Sequence, residues 1–321
     1  MKKLLFIFII INCINIYSQN SDLYFQSGNN NYIKKHYNEA IINYCKAIEL
    51  KPNFAKAYYY RGISYSCLQK YEDAISDFNK AIEFIVDDPI IYYSRAIAFF
   101  NLKKYDSTIN DLDTAIELWP ISIDFYLLRG NAYFEIKKYE EAKKDYSYSL
   151  NIILIYFLER GDYYSKLIKY DELDKDNKEH LETACYNYGV ACYLTEENEN
   201  AIKSYKIALK INPIKIEALN NLGWAYLHFR NYTESLKYFE KALNIDSLEK
   251  GVLLGYALAL YLSEKKYESD INLKKLIKLQ PEFKNGMSGL EAMKEENYVF
   301  TNDDETNIKK MLDYFGYKEY R

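Results

Sequence analysis

Three histidines, five cysteines and 46 carboxylates are the groups in this 321-residue sequence with the capacity for chemistry. A metal site or an acid–base pair needs its members at a set spacing or on facing elements. His36, His180 and His228 lie far apart and fall into no such spacing; each reads as a surface or turn residue. Phosphate cradles need a glycine-rich loop, and none is present. Gly62, Gly130 and Gly223 instead recur at one phase and read as packing glycines. The acidic side chains outnumber 42 Lys and Arg to leave a net charge of −4, with no basic stripe to follow a nucleic-acid backbone. The expectation is a chain with no catalytic residue, metal, cofactor or nucleic-acid partner.

Cysteine chemistry is equally sparse. Cys185 and Cys192 stand seven residues apart on one predicted helix. That places them about 10.5 Å apart along the helix, beyond the ~7 Å a disulfide spans. Cys45 and Cys67 lie on sequence-adjacent helices, where either a bridge or two free thiols is open.

These residues must be carried by helices. Only five prolines and 11 glycines interrupt the chain, 49% of it is hydrophobic, and 36 residues are Tyr, whose ring packs while its hydroxyl stays polar. Residues 1–18 read differently from the rest. Lys2 and Lys3 precede the apolar run Leu4–Ile11, Asn12 and Asn15 break up the residues after that run, and Ser18 suits cleavage. This is the pattern of a secretory signal peptide, and the run is short for a membrane span of about 20 residues. An uncleaved anchor and a lipid on Cys13 are alternatives, the latter set against Asn12 where a small residue is expected. The mature chain is expected to be exported (periplasmic, envelope-associated or secreted) with no membrane span.

From residue 21 a 34-residue phase runs along the chain. Residues 55–88 show it best: Tyr58, Gly62, Tyr65, Tyr71, Ala74, Phe78 and Ala81 alternate large and small where two helices would meet. Residues 21–54 repeat it with Tyr24, Gly28, Ala40, Tyr44, Ala47 and Pro52. Residues 89–122 do so with Tyr92, Ala96, Phe99, Leu112, Ala115 and Pro120. A fourth set from 123 has Tyr126, Gly130, Tyr133, Ala142 and Tyr146. The phase slips at Phe157, Gly161, Tyr164 and Tyr170, and a polar run at Asp171–Glu182 comes next. It recovers over 182–215 (Gly189, Ala201, Tyr205, Ala208, Pro213), 216–249 (Leu219, Gly223, Tyr226, Phe239, Ala242) and, more weakly, 250–283.

This pattern resembles the tetratricopeptide repeat, a helix–turn–helix unit. The resemblance implies an all-α fold, a right-handed α-solenoid of stacked pairs. The expected organisation is a signal peptide at 1–18, an array of about five units at 19–173, a polar break at 174–181, about three units at 182–283, and capping helices at 284–321. Thr301 is the candidate N-cap of the last helix, with Asp303, Asp304 and Glu305 behind it and Ile308, Met311, Leu312 and Phe315 on one face. Such a helix is expected to cover the open end of the stack.

In the family, the fifth, ninth and twelfth places of each unit line a concave face where protein segments dock. Here that implies a partner-binding set of Tyr59, Ile63, Tyr93, Ile97, Phe100, Asn131 and Phe134, with Tyr60 of the sixth place beside them, an apolar and aromatic groove. The basic and Asn set by which one subclass grips a C-terminal carboxylate is not supplied by any three consecutive units. Arg61, Arg95, Arg129 and Arg160 recur at the seventh place and read as structural, reaching a carboxylate or carbonyl of a neighbouring helix. The implied function is an exported scaffold that binds a protein or peptide without catalysis of its own. A sensor or regulatory component with a separately encoded effector is the alternative, and an enzyme subunit a further one.

Overall fold

In four of the pairs a proline follows the end of the second helix, and a left-handed residue closes the first helix of the pairs. The computed structural model describes residues 20–158, 175–296, 298 and 300–317. Residues 1–19 and 159–174 lie outside it, and with them the signal peptide, Arg160 and the Gly161–Tyr170 part of the phase slip. Among the described residues there is no strand. The helices are α1 (20–33), α2 (Tyr37–Leu50), α3 (Ala55–Cys67), α4 (Tyr71–Phe84), α5 (Pro89–Asn101), α6 (Tyr105–Leu118), α7 (Ile123–Glu135) and α8 (Tyr139–Leu158). From residue 175 come α9 (Lys175–Leu194), α10 (Asn198–Ile211), α11 (Ile216–His228), α12 (Tyr232–Ile245), α13 (Lys250–Leu262), α14 (Lys266–Leu279), α15 (Ser288–Glu295) and α16 (Asn302–Tyr314). They form two compact units, one ending at Asp145 and the other beginning at Tyr146.

Lys51, Trp119, Asn212 and Gln280 each precede a proline, which disfavours the α-region for them and has no N–H to continue a helix. All four end the second helix of a pair outside the α-region, with φ between −145° and −126°. The first helix of each pair ends at Lys35, Gln69, Lys103, Lys137, Glu196, Arg230 or Glu264, all with φ between 54° and 64°. The turn they make is a Schellman motif: the Lys70 N–H returns to the Tyr65 carbonyl at 2.9 Å and the Gln69 N–H to Ser66 at 2.9 Å. No glycine occupies these positions.

Within a pair, packing obeys one volume rule over a 16-residue offset. A Cβ on Gly62 would stand 2.8 Å from the Phe78 ring, on Gly189 2.7 Å from Tyr205, and on Gly223 2.6 Å from Phe239. Where the small residue is Ala, the residue 16 positions later is Leu: Ala96 faces Leu112, and Ala257 stands at the same offset from Leu273. The packing reading of the recurrent glycines therefore holds at Gly62 and Gly223.

The expected polar break at 174–181 is corrected from Lys175 onward, where the chain is already in α9. Leu181, Ala184 and Cys185 are buried and give that helix an inner face, so its polar beginning is a solvated side. None of Cys45, Cys67 and the buried Cys185 and Cys192 forms a disulfide. No described helix is long and apolar enough to cross a membrane.

Candidate protein-binding surface

The seventh-place arginines show how the first unit holds its stripe in register. Arg61 on α3 makes a two-point ion pair with Asp77 on α4, both contacts at 2.7 Å. Arg95 does the same to Asp111 (2.8 and 2.6 Å) and Arg129 to Asp145 (2.8 Å twice). The remaining nitrogen reaches the preceding pair of helices: Arg61 to the Cys45 sulfur at 3.1 Å, Arg95 to Asn79 at 2.5 Å, Arg129 to Asp113 at 2.6 Å. Burial pushes the Asp77 and Asp145 carboxyls up, and the guanidinium opposite only partly restores them. A pair taken out of water in this way adds little net stability but fixes geometry. The arginines were legible as structural; their aspartates were not, because an Asp on a helix face reads as solvated until its partner 16 residues back is known.

All eight proposed partner-binding residues are half-buried. Tyr59 is tied into the packing between neighbouring helices: its ring lies 6.0 Å from Phe78 and 5.2 Å from Tyr60, and its hydroxyl is 3.4 Å from that of Ser94 on α5. Tyr60 is set among Phe25, Tyr32 and Tyr44. Ile63 packs on the core of Ala74, Phe78, Ala81 and Ile91. Tyr93 has its ring 5.0 Å from Phe125 on α7, and burial raises its pKa to about 12. Phe100 meets Tyr105 at 5.5 Å and Phe134 meets Tyr139 at 5.2 Å, each edge-on at the start of its own second helix. Ile97 and Asn131 complete the stripe. The stripe shows edges rather than whole rings, because each residue also packs against a neighbour. An open cleft does remain, lined by Phe25, Asn29, Lys56, Tyr59, Tyr60 and Asp88. Lys56 and Asp88 set opposite charges in it, and sequence reading missed both; they lie at the ends of helices rather than on the stripe.

Among its described residues the second unit shows no seventh-place arginine pair, and it is built around one continuous core from Cys192 to Leu312. Its stripe contains Tyr193, Trp224 and Tyr261, with His228 one place beyond it, and the chain's own end meets each of the four. Phe300 lies 5.7 Å from Trp224, nearly edge-on. Asp304 accepts the Tyr193 hydroxyl at 3.0 Å and stands 3.2 Å from the His228 Nε2. Tyr314 and Phe315 meet Tyr261 at 5.4 and 6.1 Å. The expected N-cap is present as a full capping box: the Asp304 N–H donates to Thr301 Oγ1, and the Thr301 N–H donates to the Asp304 carboxylate at 2.8 Å. Burial lowers the His228 pKa, but the hydrogen bond and charge of Asp304 outweigh it and the net shift is upward. His228 is therefore no idle surface residue. Its partner lies 76 positions away, where no spacing rule would look.

Among the described residues no group of three or more His, Cys, Asp or Glu is placed to hold a metal ion. Models of the tetratricopeptide repeat match residues 21–54, 55–85, 93–148, 182–215 and 216–248, more than half of the chain. Human tetratricopeptide repeat protein 6 is 35% identical over 72 residues, 22% of this chain; the chain spans 14% of that relative's length. Among solved structures, the C-terminal part of a TPR repeat-containing protein from Cytophaga hutchinsonii aligns with a TM-score of 0.61 at 16% identity, covering 83% of this chain and 99% of that one. A tetratricopeptide repeat protein from Parabacteroides merdae gives 0.55 at 12%, over 92% and 99%. YrrB, described as a TPR protein with an unusual peptide-binding site, gives 0.51 at 21%, over 68% and 97%. These likenesses are of fold. With the repeats matched in both units, the chain belongs to the tetratricopeptide-repeat family.

Proposed function

We propose that the chain is an exported scaffold whose first unit binds a protein or peptide segment along the stripe from Tyr59 to Phe134, with no catalysis of its own. The observation that carries this reading is the cleft at Phe25, Asn29, Lys56, Tyr59, Tyr60 and Asp88, which pairs aromatic edges with one charge of each sign. A segment laid there would find apolar cover and two ionic ends. YrrB, a relative in fold, is described as binding peptide, which supports the class of ligand. Export rests on Lys2, Lys3 and the Leu4–Ile11 run; mass spectrometry of native material should find a chain starting near residue 19.

The binding test starts from partners captured with the mature protein from its native compartment and identified by mass spectrometry. Isotherms with the captured partner then compare wild type with Phe100→Ala and Tyr59→Ala. Truncating an interface aromatic typically costs about 2 kcal/mol, roughly 30-fold in affinity. Phe100→Ala is the cleaner variant, since Tyr59 also packs on Phe78. Unchanged affinity in a Phe100→Ala protein that melts with wild type would overturn the placement of the site.

A further inference from the structure

In the second unit the binding stripe is already occupied, and its occupant shows what the stripe accepts. The segment from Tyr298 to Tyr317 begins with the Tyr298 hydroxyl donating to Glu249 at 2.6 Å, seats Phe300 on Trp224, and then runs as α16. Ile308, Met311 and Leu312 lie in the same buried core as Leu254 and Leu258. Their spacing from Asp304, four, then three, then one residue, is that of a single helix face.

A helix serving only to cover the end of a repeat stack needs an apolar face. This one also carries a buried carboxylate, which is costly unless every oxygen is met. Asp304 Oδ1 meets His228; Oδ2 accepts from the Tyr193 hydroxyl and from the Thr301 N–H and hydroxyl. Tyr193 and His228 come from two different helices, α9 and α11, and converge on one acid at the start of a third. The positive end of the α16 dipole presents that acid. The arrangement is a receptor for a helix that begins with a carboxylate. α16 lies against α9, α11 and α13 as well as against Ser269 of the last pair.

We propose that Tyr193, Trp224, His228 and Tyr261 form a recognition site for an acid-headed amphipathic helix of a partner protein, and that the chain's own C-terminal segment is a displaceable occupant of that site. The partner helix would carry an aromatic residue just before its N-cap, an Asp in its first turn, and apolar residues four, seven and eight positions after that Asp. The proposal rests on the concave stripe being the binding face, carried over to the second unit. Tethering gives the resident segment an effective concentration of order millimolar, so an outside helix competes well only when the resident is weakened.

The test uses the full chain and a fluorescent synthetic peptide of residues 296–317. Wild type is compared with a full-length Phe300→Ala/Asp304→Asn variant, whose own segment is weakened while the receptor residues stay intact. The peptide should bind the variant at least about tenfold tighter than wild type, and a peptide carrying Asp304→Asn should bind the variant about tenfold more weakly than the parent peptide. A variant with wild-type helicity that takes up no peptide, or takes both peptides equally, overturns the proposal. Should the variant unfold, hydrogen exchange on wild type decides: α16 amides exchanging well ahead of those of α13 supports a displaceable segment, and exchange in step with α13 shows a fixed cap. The Phe100→Ala isotherm reads the other unit's stripe, so failure of one experiment is told apart from failure of the other.

Discussion

The pairing of a small residue with a ring 16 positions later makes a prediction about single side chains. Ala96 and Leu112 fill the space that Gly62 and Phe78 fill one unit earlier. Leu112→Phe alone forces a ring against the Ala96 methyl and should cost about 1–3 kcal/mol by overpacking. Adding Ala96→Gly recreates the Gly62–Phe78 contact, and thermal melts should show most of that loss recovered, leaving about 0.5–1 kcal/mol for a glycine within a helix. A double variant no more stable than Leu112→Phe would mean the rule is not one of volume. The same residues explain what sequence reading could see. Gly62 and Phe78 are informative on their own, since each is unusual in type for an amphipathic helix. Asp77 is not, since its meaning depends on Arg61. Tyr59 and Tyr93 were placed on the right stripe, but their share of burial was not legible; it depends on Phe78, Ser94 and Phe125, whose approach only the packed helices define.

At the scale of the element, the turns carry strain that other parts of the repeat hold in place. Among the described residues seven non-glycine positions adopt left-handed backbone, each costing roughly 1–2 kcal/mol relative to its preferred conformation. Lys103 is exposed, so its side chain gives up no burial on removal. Lys103→Gly should relieve that cost and, after the entropy glycine loses on folding, raise stability by up to about 1 kcal/mol, measurable as a higher urea midpoint at unchanged slope. Lys103→Ala should give no such gain. Helix ends were the most legible feature, because Pro52, Pro120, Pro213 and Pro281 act through neighbours only. The start of α9 was illegible for the opposite reason. Its polar face precedes its buried one in the chain, and the buried side chains Leu181, Ala184 and Cys185 gain their meaning from the helices packed on them.

At the scale of the whole molecule, the two units differ in what they respond to. The first is held by Arg–Asp pairs. The second carries His228, faced by Asp304 and Asp303 from α16 and by Glu196 from the turn after α9, with the Tyr193 hydroxyl alongside. Its folded-state pKa lies above the unfolded value of about 6.5. The stabilisation is therefore full below about pH 6.5 and is lost as pH rises through the folded value. Urea midpoints of the second unit's transition should fall between pH 6 and pH 8, and His228→Asn should flatten that slope. A slope of the opposite sign would contradict the assignment. This contact joins residues 76 positions apart, and the Tyr193–Asp304 bond joins residues 111 apart. No periodicity in the chain announces either, which is why the repeats were legible and the docking of α16 was not.

The arginine arrangement bears on how such a chain changes length. Arg95 reaches forward to Asp111 and back to Asn79, so each block of 34 residues carries one complete link and one socket for the next. Duplicating residues 55–88 in place would bring a second Arg61 with its own Asp77 and offer it Asn79 in the socket, a pairing that Arg95 already makes. Deleting 89–122 would give Arg129 the same Asn79 in place of Asp113. Blocks can thus be copied or dropped at these boundaries without inventing a new junction, and the first unit is the part of the gene where whole-block gain and loss would meet the least resistance from selection.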